Sequence, residues 1–262
     1  MVEFVTCPPP AGLAHAVREM WQLRDAGTMH AGLPKPWVEI VVSLRGIHWW
    51  RASPGCPEHR YSTGWVTPIQ DGARHARSVG ERLLIGARVE PWAARRWLGE
   101  LPPGDGTPPP RLQELVGREA PRLRRRLLSA LPGARFEVFA AWLAAQPGLA
   151  KRSEEGPGSE GFAISADRLA LNDARSARTL RRRFTRHAGI APKRWLILRR
   201  LDGVLRDARL SDPGVPLAHL AIDHGFADQA HLTREMRRFT GATPGTFRGR
   251  SPAMPPHMLA SE

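Results

Sequence analysis

The sequence has only two cysteines, Cys7 and Cys56, in 262 residues. That is too few to staple a chain of this length, which excludes a secreted disulfide framework and points to a reducing compartment, the cytoplasm. No stretch approaches the ~18 uninterrupted apolar residues of a membrane span. The first twenty residues hold Glu3 and the run Pro8, Pro9, Pro10, with no basic residue ahead of a mild apolar segment, so neither a signal peptide nor a membrane partner is expected. Lysine is scarce too, with only Lys35, Lys151 and Lys193 among 39 basic residues, an arginine preference that a coding bias explains most simply. The phosphate-binding loop, the dinucleotide fingerprint, the Gly-x-Ser-x-Gly elbow and the His-Glu-x-x-His helix are all missing, so no enzymatic activity and no cofactor are expected.

What remains is a folded, basic chain. Lys and Arg outnumber the 25 acidic residues to give a formal charge of +14, while 42% hydrophobic residues are too many for a disordered tail. The excess charge is uneven, +10 of it falling on residues 161–250. Such a surplus calls for a polyanion, and composition by itself does not choose between nucleic acid and an acidic membrane. The length favours two domains. Two Pro/Gly-rich breaks, at 101–110 and 146–161, read as loops or linkers.

Before the first break, residues 37–44 mix β-branched and aromatic side chains between Pro36 and Gly46 and predict a strand. Residues 47–51, 61–66 and 83–89 are weaker strands of the same kind. A helix is predicted over 13–24, and Pro91 suits the first position of a helix over 91–98. Leucines and aromatics at helical spacing predict two or three helices over 111–146.

From 161 onward the pattern is helical and repeats itself. Leu169, Ala170, Ser176, Leu180, Arg182, Phe184, Gly189 and Pro192 form one unit; Leu220, Ala221, Asp228, Leu232, Arg234, Met236, Gly241 and Pro244 form the second. Each reads as a helix-turn-helix. In the second, a helix over 217–223 meets a turn at Gly225, which is free to take positive φ, and Asp228 caps a helix running to about Phe239; Ser176 is expected to cap the equivalent helix of the first unit. Burying Leu180 and Phe184, or Leu232 and Met236, leaves an outer face of Arg178, Thr179, Arg181, Arg182 and Arg186 in one helix and Gln229, Ala230, His231, Thr233, Arg234 and Arg238 in the other. Arginine reads guanine, glutamine reads adenine and small groups meet thymine methyls in the major groove. Arg199, Arg200, Arg237 and Arg238 are expected at phosphates or in solvent. A joining helix over 192–209, ~18 residues and ~27 Å long, comes close to the ~34 Å between successive major-groove faces.

These residues, with Arg200, Gly225 to His231, Thr233 and Arg248, make 162–248 resemble the DNA-binding domain of the AraC/XylS family. The resemblance covers about a third of the chain. It implies a bipartite seven-helix reader in a transcription regulator, double-stranded DNA as partner, and room for RNA polymerase, a small-molecule effector and a second copy of the chain. Ala174 and Arg175 depart from the pattern, where the family carries a glycine and an apolar residue before the capping serine. Residues 37–98 are similar to a sensor-like domain found ahead of this unit. The expected plan is therefore α+β: 1–100, a mixed α/β sensor-like or dimerisation domain with a small β-sheet or barrel; 111–146, a helical connector; 147–161, a linker; 162–250, an all-α reader with two helix-turn-helix motifs; 251–262, a tail.

Seven of the nine tryptophans fall in the first hundred residues. They suit either an apolar ligand pocket, whose residues the sequence does not name, or ordinary core packing. His48, Cys56 and His59 supply only three ligands at a spacing that fits no zinc template, so no metal is expected. Alkylation-repair regulators share the reader, but the four zinc-binding cysteines and the Pro-Cys-His-Arg motif are missing here; residues 55–58 read Gly-Cys-Pro-Glu. The remaining alternative is a nonspecific basic binder of nucleic acid.

Overall fold

A computed structural model describes residues 2–27, 29–70, 72–150, 174–248 and 255–260. The amino-terminal part is an antiparallel sheet of β1 (Glu3–Cys7), β2 (Val17–Asp25), β3 (His30–Gly32), β4 (Val38–Arg51), β5 (His59–Tyr61), β6 (Gly64–Thr67), β7 (Arg74–Val89) and, from the far end of the chain, β8 (Met258–Ala260). The long strand β7 is its spine. It pairs along its length with β4 on one edge, and on the other with β2 and then β3; β1 extends β2, β8 extends β3, and β5 and β6 lie outside β4.

Alternation along these strands sorts side chains into two layers. Val38, Ile40, Val42 and Leu44 of β4 and Leu83, Ile85, Ala87 and Val89 of β7 enter the main core, which continues into the helices. The opposite face carries Val41, Leu84, Trp21 and Leu23 in a second cluster. Both faces of β4 are therefore covered, which explains its nearly unbroken apolar run. Gly86 faces Trp21 across the β2–β7 register; a Cβ there would sit 2.4 Å from the indole and 2.8 Å from the Ile40 carbonyl. Glycine is what lets the indole lie flat on the sheet.

Five helices follow the sheet: α1 (Pro91–Leu98), α2 (Leu112–Val116), α3 (Glu119–Ser129), α4 (Arg135–Ala144) and α5 (Pro147–Ala150). Then come α6 (Ala174–Ala188), α7 (Pro192–Arg206), α8 (Leu217–Asp223) and α9 (Gln229–Thr240). The α+β class is as expected, as are α1 with Pro91 in its first turn and the helical segment after 111.

Several expectations fail. Residues 13–24 do not form a helix; a short 3-10 turn (Ala11–Leu13) leads into β2. Leu13, Val17, Met20 and Trp21 do fall at helical intervals, but the backbone groups of β2 are satisfied by β1 on one side and β7 on the other, and tertiary pairing outweighs local preference. The predicted strands 37–44 and 47–51 are one strand, irregular around Gly46 at φ +92°. The predicted strand 61–66 is divided between β5 and β6. Residues 258–260, expected in a tail, form β8. The first helix of the first repeat, with Leu169 and Ala170, lies outside the described residues.

Candidate DNA interface and its link to a cavity

The second helix-turn-helix unit is built as its sequence predicts. Gly225 takes φ +78° at the turn, Phe226 is buried, and the Asp228 carboxylate accepts a hydrogen bond of 2.6 Å from the His231 backbone N–H, capping α9. Gly241, left-handed at φ +75°, ends the helix. Leu232, Met236 and Phe239 are buried, which turns Gln229, Ala230 and Arg234 outward. His231 and Thr233 are half-buried. The His231 ring accepts from the Ala227 N–H at 3.3 Å and packs edge-on against Phe226, so much of its bonding serves the turn. Arg238 is exposed, 3.8 Å from Glu235 and over the Phe239 ring.

Behind the turn, Asp207 accepts from Arg209 at 2.7 Å and from His224 at 3.0 Å, while Arg209 reaches Asp223 at 2.8 Å. Those bonds, that from Arg209 foremost, hold the Asp207 carboxyl far below the usual range. The clip ties the end of α7 to the end of α8. It also explains Gly203, an anomaly inside a helix: a Cβ there would lie 2.6 Å from His224 Nδ1. Arg248 donates to the carbonyls of Pro213 and Val215, each at 2.6 Å, and so holds the loop before α8.

In the first unit, Arg178, Thr179, Arg181, Arg182 and Arg186 are exposed on α6, and Phe184 is buried against Trp195 with ring centroids 5.5 Å apart. Ser176, expected as a cap, lies inside α6, which already includes Ala174 and Arg175. Arg181, Arg182 and Arg186 share a surface groove with Arg95 and Glu100, at the end of α1.

The helix joining the two units is also the helix that docks on the sheet domain. Trp195, Arg199, Asp202 and Arg206 recur at helical spacing along one stripe of α7. Trp195 is buried, donates to the Pro36 carbonyl at 3.1 Å and meets Trp92 edge-on at 5.9 Å. Arg199 stacks over Trp37 at 4.7 Å and over Trp195 at 5.1 Å, so it is a docking residue and not the phosphate or solvent contact expected of it. Arg206 grips Glu19 through both terminal nitrogens, at 2.7 and 3.2 Å, and reaches Asp202 at 2.9 Å. Asp202 is bonded in turn to His257 Nε2 at 2.7 Å. Close by, Glu90 is buried, and burial pushes its pKa up to about 7. Sequence reasoning missed Glu19, Asp202, Arg206 and His257; the only available signal was a charged residue at each step of an otherwise apolar stripe.

His257, and Glu19 through its partner Arg88, lead to a cavity of about 130 Å3 on the second face of the sheet. Its wall includes Trp21, Trp49, Trp50, Trp65, Tyr61 and, from the carboxy-terminal segment, Pro255, His257 and Met258. Its charged members are paired: Arg88 with Glu19 and Glu39, Lys35 with Glu39, Arg82 with Asp25. Six residues of β7 separate Arg82 from Arg88, about 20 Å along the strand, with Leu84 between them. His48, considered from sequence as a metal ligand, is buried between the hydroxyls of Ser43 and Ser78, each at 2.8 Å, and burial lowers its pKa to about 4. Cys7 and Cys56 are both free, and Cys56 Sγ lies 3.2 Å from Ser53 Oγ.

The capped helix α9 and the arginine-lined helix α6, joined by a third, define the class: a helix-turn-helix protein. Residues 170–250 match the family described as "Helix-turn-helix domain". Over 86 residues the chain is 37% identical to the HTH-type transcriptional activator RhaS of Escherichia fergusonii, a match covering 33% of this chain and 30% of that one. The carboxy-terminal third is an AraC-type helix-turn-helix domain. Among solved structures, ToxT from Vibrio cholerae aligns over 94% of this chain and 97% of its own, at 7% identity and a TM-score of 0.46. A cupin superfamily protein from Desulfitobacterium hafniense aligns over 34% of this chain and 78% of its own, at 10% identity and a TM-score of 0.27. No helix among the described residues is long and apolar enough to cross a membrane.

Proposed function

We propose that the chain is a sequence-specific DNA-binding transcription regulator, responsive to a small molecule through its amino-terminal domain. The observation that carries this reading is α9: capped at Asp228, anchored by Leu232, Met236 and Phe239, and presenting Gln229, Ala230 and Arg234 on an open face. Those are base-reading side chains at the helix end that enters a major groove in this motif. Thr233 and His231 border that face, and the exposed Arg238 is the phosphate contact in this reading. In the first unit Ser176, Arg178, Thr179, Arg181, Arg182 and Arg186 are the equivalent set. Because three of these arginines share a groove with Arg95 and Glu100, the position of the sheet domain bears on how α6 meets DNA.

Responsiveness follows from the docking stripe. The cavity-wall pair Arg88–Glu39 and the α7 residue Arg206 share Glu19, and His257 joins the wall to Asp202. A ligand that binds one arrangement of these groups better than another shifts the presentation of both readers. In this reading residues 1–100 sense, 111–146 connect, 147–161 link and 162–250 read; within the expected tail 251–262, Pro255, His257 and Met258 close part of the sensor wall. The protein works in the cytoplasm without catalysis, and RNA polymerase and a second copy of the chain are its further partners. Selection from random duplexes tests the reading. A preferred sequence bound ~10³-fold over random DNA at physiological salt is expected, and sequence-indifferent binding would leave only the nonspecific basic binder.

A further inference from the structure

The cavity beneath β8 is walled in part by buried polar atoms that no described residue satisfies. Among the described residues the indole Nε1 atoms of Trp21 and Trp50 and His257 Nδ1 are buried without a hydrogen-bond partner, and all three residues line the same space, as does Arg88, whose Nη1 makes its ion pair with Glu19. Buried polar groups in folded proteins are almost always paired, so these three atoms on one cavity wall suit a ligand that pairs with them. Their chemistry specifies it. Indole N–H groups only donate. His257 is buried with Nε2 against the Asp202 carboxylate; the imidazole is neutral, Nε2 carries the proton, and Nδ1 is left as an acceptor. Beside its paired charges the wall thus offers two neutral donors and one neutral acceptor among aromatic rings.

Size and charge narrow the class. The volume, about 130 Å3, is near the ~150 Å3 of an engineered apolar cavity that takes benzene. The arginines and the lysine of the wall already have protein partners: Arg82 with Asp25, Arg88 with Glu19 and Glu39, Lys35 with Glu39, and Arg74 with the carbonyls of Ala73 and Gly104. A carboxylate ligand would have to break one of these arrangements. Resting on the effector-responsive reading above, we propose that the cavity binds a neutral, single-ring aromatic molecule bearing both a hydrogen-bond acceptor and a donor, as in aryl amides. The acceptor takes the indole N–H groups, the donor meets His257 Nδ1, and the ring lies among Trp21, Trp50 and Trp65. The same imidazole that touches the ligand holds Asp202 of α7, so occupancy is felt directly by the helix joining the two readers.

The test is calorimetric titration of the full chain with benzamide, sodium benzoate, cyclohexanecarboxamide and toluene, with tryptophan quenching as a second readout. Benzamide is expected to bind at least tenfold tighter than the other three, and Trp50→Phe, which removes one donor and keeps the ring, to weaken benzamide about tenfold while leaving toluene unchanged. Thermal unfolding of Trp50→Phe establishes that it is folded, and Trp21→Phe is the second variant. Benzoate or cyclohexanecarboxamide binding as tightly as benzamide overturns the proposal, as does the absence of saturable benzamide binding up to ~10 mM, the weakest affinity expected for so small a ligand. Duplex selection on the same preparation separates the two readings. A sequence preference without benzamide binding sinks the ligand class alone; benzamide binding without a sequence preference sinks the regulator.

Discussion

Asp228 offers a quantitative test because its two roles act on DNA binding with opposite signs. Its carboxylate accepts the His231 N–H at 2.6 Å and satisfies one of the unpaired donors of the first turn of α9, the turn that carries Gln229 and Ala230. Asp228→Ala removes that bond. Loss of an N-cap costs about 1 kcal/mol, which must be recovered when the turn is ordered against a base pair, so specific affinity should fall roughly fivefold relative to affinity for random duplex. The negative charge at this exposed position meanwhile repels phosphate, so its removal raises affinity for every sequence. Asp228→Asn removes the charge and keeps an accepting oxygen. It should strengthen all binding modestly and hold the specificity ratio within about twofold of wild type. Fluorescence anisotropy against a selected and a scrambled duplex at two salt concentrations gives both quantities. If Asn and Ala lose the ratio equally, the cap does not position the reading turn and the argument from α9 geometry is wrong.

Other outcomes follow from the same contacts. Gln229→Ala and Arg234→Ala should change base preference, whereas Arg238→Ala should weaken all sequences alike and lower the salt slope by about one; uniform losses from all three, read by duplex selection, would contradict the assignment. Glu90 has its pKa raised by burial to about 7 against 4.5 unfolded, so the stability it contributes is full below pH 4.5 and is lost as pH rises through 7. That amounts to about 3 kcal/mol, and Glu90→Gln should remove this part of the pH dependence between pH 4.5 and 8 in urea titrations. His48, depressed to about 4, has the reverse sign: its contribution stands above pH 6.5 and is lost as pH falls through 4, and a histidine-free position there should flatten the acid limb of the same titrations. Gly86→Ala forces a methyl into Trp21 and the Ile40 carbonyl, neither of which can retreat, and should cost ~3 kcal/mol, visible as a drop in Tm of about 6 to 12 °C.

How much of this was readable in the sequence depends on how local the determinants are. The unit from Leu217 to Gly241 was legible almost to the residue, because its cap, its glycine turn and its helical period are all written within twenty-five positions. The same logic misplaced Ser176, which lies inside α6 and not ahead of it. In the sheet domain, residues 13–24 read as a helix because Leu13, Val17, Met20 and Trp21 fall at a helical period, whereas in β2 both faces are covered, Val17 and Met20 on one and Trp21 on the other, and only partners far along the chain decide between the two. β8 was invisible for the same reason: its partner, β3, lies more than two hundred residues away. The docking stripe was the hardest to see. Arg206 meets Glu19 and Asp202 meets His257 across separations of 187 and 55 residues, and nothing near either member announces the pairing. Arg199 shows the cost of reading charge alone, since a residue expected at a phosphate lies between two indoles.

The most direct test of the central claim is duplex selection run in parallel on the full wild-type chain and on Arg234→Ala at physiological salt. A defined preferred sequence is expected for the wild type and, for the variant, loss of preference confined to one or two adjacent base pairs, with the rest of the site retained. Binding without preference in the wild type, or an identical preferred sequence in both proteins, would contradict it.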